Sequence, residues 1–457
     1  MVNFTVNTYN ILITRKGDTT LSRFAIRVFG CQMNDYDADR LRTAMIYKKW
    51  VECPEEEADV IILVTCSIRE KAEHKVISTI GRYDLRFRAN GSPIVILVGC
   101  MAQRIGVDLA KKFRCIKLVS GPRHLGLVPD KIEDVIRAGK TRFLMDNDPR
   151  ELIDLEIVPK ERINPYKAYV TITYGCDRFC SYCIVPYVRG RLQSREHKSI
   201  TEEIRALIDM GVTEVTLLGQ NVDAYGKDRE GLFSFASLLK EISMLNGLKR
   251  LRFTTSHPKD FDKEILDVMQ DSSVICPSIN LPIQSGSDKI LKMMHRGYTV
   301  EQYLTLVKKI RESLAEVSLT TDLIVGFPGE TEDDFNESYN ILKEVRYDVV
   351  HTAAYSPREG TLAANMSNHV EKEVKIRRLN EINNAQTVIS RELNEEYVGG
   401  EYEILLDGIA PRGEGYLQGR TMTDKVVIIK APEDEIGQFI RAKITKANNW
   451  SLEGERI

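Results

Sequence analysis

Cys176, Cys180 and Cys183 stand in one loop of the sequence, GCDRFCSYCIVPYVRGR. Three thiolates this close together can bind metal, and their number narrows the choice. A structural zinc site takes four protein ligands and would need a distant fourth residue. A four-iron, four-sulfur cluster held by three cysteines leaves one iron open to chelate the amino and carboxylate groups of a small molecule. The grouping points to such a cluster, with zinc as the alternative. Of the other six cysteines, Cys31, Cys66 and Cys100 form a second, dispersed set, while Cys53, Cys115 and Cys276 read as small buried hydrophobes.

The elements that must position these thiols fall into three stretches. From Phe24 to about Arg150, the runs FAIRVF, ADVIILV, PIVILVG and IKLVS alternate with amphipathic segments, which predicts a doubly wound parallel α/β domain over 24–150. Cys31, Cys66 and Cys100 each come within two residues of a predicted strand end. The carboxyl ends of a parallel sheet share one edge, so the three can converge there. After the linker-like ERINPYKAY, six further strand-then-helix units run from AYVTITY to YDVVHTAAY and predict an incomplete (βα)6 barrel within 162–395. Cys176 follows its first strand, at the face where barrels keep their chemistry. Residues 371–396 predict one long polar helix ending at Gly399-Gly400. YEILLDGI, EGYLQGRT, KVVIIKA and FIRAKITKA then predict a small β-barrel over 396–457.

Composition excludes several classes. With 457 residues the chain has room for about three domains. Lys plus Arg total 64 against 66 Asp plus Glu, so no global basic charge marks a nucleic-acid binder and any RNA contact must be local. No run reaches the ~20 apolar residues of a membrane span. The first twenty or so residues lack the order of a secretory signal and hold few of the arginines of an organellar one. The expectation is a cytoplasmic monomer in which thiols serve metal or catalysis rather than disulfides.

The loop GCDRFCSYCIVPYVRGR resembles the signature of the radical S-adenosylmethionine superfamily, and GFPGET at 326–331 resembles that family's motif beneath the cofactor. The resemblance implies a [4Fe-4S] cluster on Cys176, Cys180 and Cys183, S-adenosylmethionine as cofactor, and a 5′-deoxyadenosyl radical kept from water inside the barrel. It further implies that Tyr182 helps seat the adenine and that Gln220, Asn221, Gln284, Ser285 and Asp322 are cofactor contacts. Taken singly, each of these strand-end residues also reads as a cap or a structural polar group. No residue reads as a general base.

FGCQMNDYD, TCSIREKAEHK and GCMAQR resemble the methylthiotransferase branch of the superfamily, which implies a second [4Fe-4S] cluster on Cys31, Cys66 and Cys100. In that branch one cofactor molecule methylates a sulfur at the second cluster and another generates the radical on the substrate carbon. An electron donor and a sulfur source are then required partners. LPIQSGSDKILKMMHRGYT and GRTMTDKVV resemble the members that convert N6-isopentenyladenosine beside the tRNA anticodon to its 2-methylthio form. Relatives acting on threonylcarbamoyl-adenosine or on a ribosomal-protein aspartate are the alternatives. Outside the enzymes stand a zinc-stabilised RNA-binding protein and a scaffold that passes clusters on. Val64 departs from the members that act on isopentenyladenosine, which usually have Asn before Thr-Cys.

The terminal barrel resembles a TRAM domain, an oligonucleotide-binding module. Between Glu396 and Ile457 eleven acidic residues face eight Arg or Lys, so bulk phosphate neutralisation is not its mode, although Arg412, Arg420, Lys443 and Lys446 offer a stripe. Arg189, Arg191, Arg195 and Lys198, right after the cluster loop, are the better candidates to hold tRNA phosphates. A solvated charged face is the plain alternative.

Overall fold

The computed structural model describes residues 22–67, 70–145, 151–231, 233–411, 413 and 415–457. The N-terminal sheet contains β1 (Arg23–Phe29), β2 (Val51–Glu52), β3 (Val60–Thr65), β4 (Ile94–Gly99), β5 (Ile116–Ser120) and β6 (Arg142–Leu144), all parallel, in the order β2-β1-β3-β4-β5-β6. Helices cover both faces, which is why the central strands are near-continuous Val, Ile and Leu. Alternate residues feed two cores: Ile62, Val64, Ile96 and Val98 on one face, Ile61, Leu63, Val95 and Leu97 on the other.

The order reverses at β1, so the carboxyl ends of β1, β3 and β4 lie side by side. Their register pairs Phe29 with Thr65 and Thr65 with Gly99. Cys31, Cys66 and Cys100 follow these three residues, and the sheet brings them to one edge as the strand pattern predicts.

The central unit opens with β7 (Lys167–Thr171), followed by the short antiparallel pair β8 (Thr173–Tyr174) and β9 (Gln193–Ser194) that closes the cysteine loop. Five more parallel strands follow: β10 (Glu214–Leu218), β11 (Arg250–Phe253), β12 (Ser278–Asn280), β13 (Ser318–Val325) and β14 (Val349–Ala354). They form two three-stranded halves, β11-β10-β7 and β12-β13-β14, bridged at Leu251 and Ile275. The barrel is incomplete, with β7 and β14 as its outer strands. Its wall packs against the surrounding helices through one large core that includes Val170, Leu217, Leu251, Ile279 and Leu323.

The helix Lys372–Glu395 leads to β15 (Glu401–Ile409), β16 (Tyr416–Arg420), β17 (Val426–Lys430), β18 (Phe439–Ala447) and β19 (Leu452–Arg456), a closed barrel in the order β15-β16-β17-β19-β18. Sequence patterning predicts four of these five; β19, LEGER, is too polar to announce itself. Two arginines of β11 dock this barrel by donating to its carbonyls: Arg250 to Arg420 O at 2.6 Å and Arg252 to Thr421 O at 2.8 Å. Among the described residues no helix is long and apolar enough to cross a membrane.

Candidate active site

The loop carrying Cys176, Cys180 and Cys183 is tied at both ends. Gly175 turns at φ +65°, where a Cβ would collide with the carbonyl of Arg191. The Cys176 N–H donates to Gly190 O at 3.2 Å and the Cys183 N–H to Cys180 O at 2.9 Å. Arg178, between the first two cysteines, is paired in forked fashion with the buried carboxylate of Asp260. Cys180 Sγ accepts from Arg296 Nη1 at 3.4 Å. Burial pushes the Cys176 thiol up to about 11 and the Cys183 thiol to about 12. A bound metal would hold these two sulfurs as thiolates, since a coordinating thiol is deprotonated.

Cys31 is the N-cap of the helix Gln32–Tyr47 and Cys100 opens the helix Cys100–Lys112. Both thus sit at the positive end of a helix dipole. Gly30 lets Cys66 come close, since a Cβ there would stand 2.6 Å from that of Cys66. A hydrogen bond with Cys66 brings the Cys31 thiol down to about 6, against burial and with help from the Arg189 charge. Burial is the largest influence on Cys100 and raises its thiol, with Cys31 and Asp37 acting in the same direction and the Arg189 charge against them. Val64, the departure from the pattern of the isopentenyladenosine members, is buried in the sheet core.

Each triad offers three soft donors, buried or half-buried, at a sheet or barrel edge. Three soft donors fit a cluster with one open iron better than a closed four-ligand zinc site. Among the described residues no three His, Cys, Asp or Glu side chains are arranged to hold a single metal ion.

One cavity of about 1630 Å³ runs from Cys176, Cys180, Tyr182 and Cys183 down through the barrel, with Gln32 and Ser67 of the N-terminal domain in its wall. Ser67 Oγ, Asn221 Oδ1, His257 Nε2, Thr352 Oγ1 and Tyr355 OH are buried along it without a hydrogen-bond partner. Buried polar atoms left open in this way are where a polar ligand is received.

Gln220, Asn221, Gln284, Asp322 and Tyr182 all line the cavity. Asn221 donates its amide to Asp260 at 2.7 Å, which turns its free oxygen away from that carboxylate. The Gln220 amide lies against Met33 Sδ of the N-terminal domain. Asp322 accepts from Asn280 Nδ2 at 3.3 Å. Tyr182 also packs against the apolar cluster that contains Phe327 of the GFPGET turn. Ser285 does not join them: it is fully buried, 3.4 Å from Ser338 Oγ, and accepts from the Ser287 N–H. Its hydroxyl lies in the packing of the turn rather than on the cavity wall.

The loop after β11 carries residues that sequence reasoning missed. Thr255 is β-branched yet sits at φ +72°, a strained conformation typical of functional sites. Asp223 holds the next two residues, accepting from Ser256 Oγ at 3.0 Å and from the His257 N–H at 2.8 Å. His257 Nδ1 accepts from the Lys259 N–H at 3.2 Å, so the ring proton is on Nε2, at the cavity wall. Burial, then the charges of Arg296 and Arg178, push His257 down to about 2 and keep it a neutral donor. The only sequence signal was a His-Pro pair directly after a strand.

Two of the expected phosphate contacts are elsewhere engaged. Arg189 is buried, with Nε 3.1 Å from Cys100 Sγ. Arg195 donates to Thr171 O at 2.8 Å and pairs with Glu203 at 2.8 Å. Arg191 and Lys198 remain exposed, although Arg191 also pairs with Asp177 at 2.8 Å. In the terminal barrel, Arg420 faces the cavity and pairs with Asp407 and Asp424, so it does not join Lys443 and Lys446 in an exposed stripe. Arg412 lies outside the described residues.

Comparison with known proteins agrees with this architecture. Residues 170–342 match the radical SAM superfamily, 23–121 the uncharacterized protein family UPF0004, and 395–457 the TRAM domain. A radical S-adenosylmethionine methyltransferase, TsrM, from Kitasatospora setae shares the fold with a TM-score of 0.53 at 15% identity, over 75% of this chain and 74% of that one. The protein is therefore a radical SAM protein, a class that carries a [4Fe-4S] cluster and S-adenosylmethionine.

A tRNA-2-methylthio-N(6)-dimethylallyladenosine synthase from Carboxydothermus hydrogenoformans is 44% identical over 434 residues, covering 94% of this chain and 98% of the relative. One from Clostridium botulinum is 42% identical over 451 residues, covering 98% and 100%. The chain belongs to the tRNA-2-methylthio-N(6)-dimethylallyladenosine synthase family.

Proposed function

We propose that this protein is a tRNA methylthiotransferase that adds a thiomethyl group to carbon 2 of N6-dimethylallyladenosine beside the anticodon. The observation that carries this reading is the meeting of two three-cysteine sets from separate domains: Gln32 and Ser67, next to Cys31 and Cys66, line the same cavity as Cys176, Cys180 and Cys183. In it Cys31, Cys66 and Cys100 hold a second [4Fe-4S] cluster. Bound together, the two clusters and S-adenosylmethionine supply the radical and the sulfur that replacement of a carbon-bound hydrogen requires.

The chain's own residues do the rest. Tyr182 gives the cofactor an apolar seat, and Asn221 Oδ1 and Asp322 accept from its donors. His257 Nε2 donates into the same space. Arg191 and Lys198 contact tRNA phosphates beside the target base. The working units are 24–150, 162–395 and 396–457, and the protein acts as a cytoplasmic monomer with separate electron and sulfur donors.

The test is anaerobic: reconstituted protein, reductant, sulfide, S-adenosylmethionine and tRNA bearing dimethylallyladenosine, with mass spectrometry of the digested nucleosides. The 2-methylthio nucleoside should appear and vanish with Cys180→Ala. Cofactor cleavage without that product would move the substrate to threonylcarbamoyl-adenosine or the ribosomal protein. No cleavage would overturn the reading.

A further inference from the structure

The loop that begins at one triad ends at the other. Cys183 leads through Ile184 and the short helix Val185–Val188 to Arg189. Ile184 and Val188 pack directly on Cys100. Gly190, the next residue, receives the Cys176 N–H at 3.2 Å. A single stretch of chain therefore touches both sets of thiols, and Arg189 is its most buried charge, 4% exposed.

Arg189 Nε–H donates to Cys100 Sγ at 3.1 Å, and Nη2–H donates to Asn34 Oδ1 at 3.4 Å. That oxygen also accepts from the Cys31 thiol at 3.8 Å, so one guanidinium reaches two of the three cysteines, one of them through Asn34. From behind, Arg123 Nη1 donates to the Arg189 carbonyl at 2.8 Å and fixes the backbone.

A guanidinium taken out of water needs compensation, and its partners within the chain give little. Asp37 lies 3.9 Å from Nη2 and has already given its other oxygen to Arg40 at 2.7 Å. A neutral thiol is a weak acceptor. A metal-bound thiolate at Cys100 completes the pair, because a coordinating thiol is deprotonated outright and charge-assisted hydrogen bonds are the strong ones.

We propose that Arg189 is a positioning residue for the second cluster: its bond to the Cys100 sulfur and its charge set that cluster's reduction potential and fix its ligand loop against the loop of the first triad. This rests on the second-cluster reading above. Hydrogen bonds to ligand sulfurs and a nearby cation both favour the more negative, reduced state and raise the potential. The same stretch of chain is also anchored to Cys176 through the Gly190 carbonyl.

The test uses the full chain with Cys176, Cys180 and Cys183 changed to Ala, so that only the second cluster can form. After anaerobic reconstitution, iron and sulfide are counted and the midpoint potential is measured by spectroelectrochemistry. In this background Arg189→Gln should move the potential to a more negative value, and Arg189→Lys, which keeps the charge but loses the Nε donor, should move it less. Arg189→Lys also stands in if Arg189→Gln fails to fold. Iron bound at full stoichiometry with the same potential in the parent and both variants overturns the role of Arg189 and leaves the second cluster standing. A parent that binds no iron overturns both.

Discussion

Cys176, Cys180 and Cys183 come from eight consecutive residues of one loop, whereas Cys31, Cys66 and Cys100 come from three different strand ends and meet only through the register of a sheet. The first triad is a local device: a glycine turn, two backbone hydrogen bonds and the Arg178–Asp260 pair hold it together. The second is a property of the whole N-terminal domain and lasts only as long as its strands approach closely. A site of the first kind survives distant repacking. A site of the second kind is lost to one misplaced methyl group.

The sharpest way to break this comparison is to remove one ligand from each triad. Cys180→Ala should reduce reductive cleavage of S-adenosylmethionine to background. Cys100→Ala should leave cleavage in place while abolishing the methylthio product. Equal loss of cleavage in both variants would mean that the triads are not separate devices. Next in size is Gly30→Ala, whose Cβ would stand 2.6 Å from the Cys66 Cβ. Iron per chain should fall by roughly half with cleavage retained, since one of two four-iron clusters is lost. Unchanged iron would show that the sheet yields at this point.

A smaller effect concerns the cradle behind the first triad. Burial raises Asp223 from the ordinary 3.8 to about 7. Its protonated form is favoured by folding, so the stability it contributes is complete below about pH 4 and is lost as pH rises through about 7. Asn cannot ionise, so the melting temperature of Asp223→Asn relative to the parent should rise between pH 5 and pH 8. A constant difference across that range would place the Asp223 carboxyl elsewhere on the scale. Smallest is the change from Arg191→Ala with Lys198→Ala, which should weaken tRNA binding modestly and lower the salt slope by about one for each lost contact. Filter binding at several salt concentrations reads this directly, and an unaltered slope would return both residues to the solvated surface.

What could be read in advance follows the same division. The strands Val60–Thr65 and Ile94–Gly99 announce themselves because burial on both faces demands unbroken apolar runs, and the CysxxxCysxxCys loop is visible because its chemistry is local. The six barrel strands and the helix Lys372–Glu395 were legible for similar reasons of period and length. The edge strands Val51–Glu52 and Arg142–Leu144 were not, since one exposed edge requires little hydrophobicity. Arg189 and Arg195 read as a phosphate grip because a run of cations usually stays in water. Only the folded structure reveals that both guanidinium groups are already taken, Arg189 by Cys100 of the neighbouring domain and Arg195 by Thr171 and Glu203 of its own. His257 and Asp223 left even less trace, each being a single residue whose importance is set by what lies across a turn.

The barrel has six strands, and β7 and β14 never pair with each other, although residues of both line the cavity. A closed cylinder can be entered only through its rim, so whatever reaches its interior must be small or must be threaded end first. A slit along the side has no such demand. A polymer can lie across it with both ends outside, swing one unit through, and withdraw that unit altered without ever being cut.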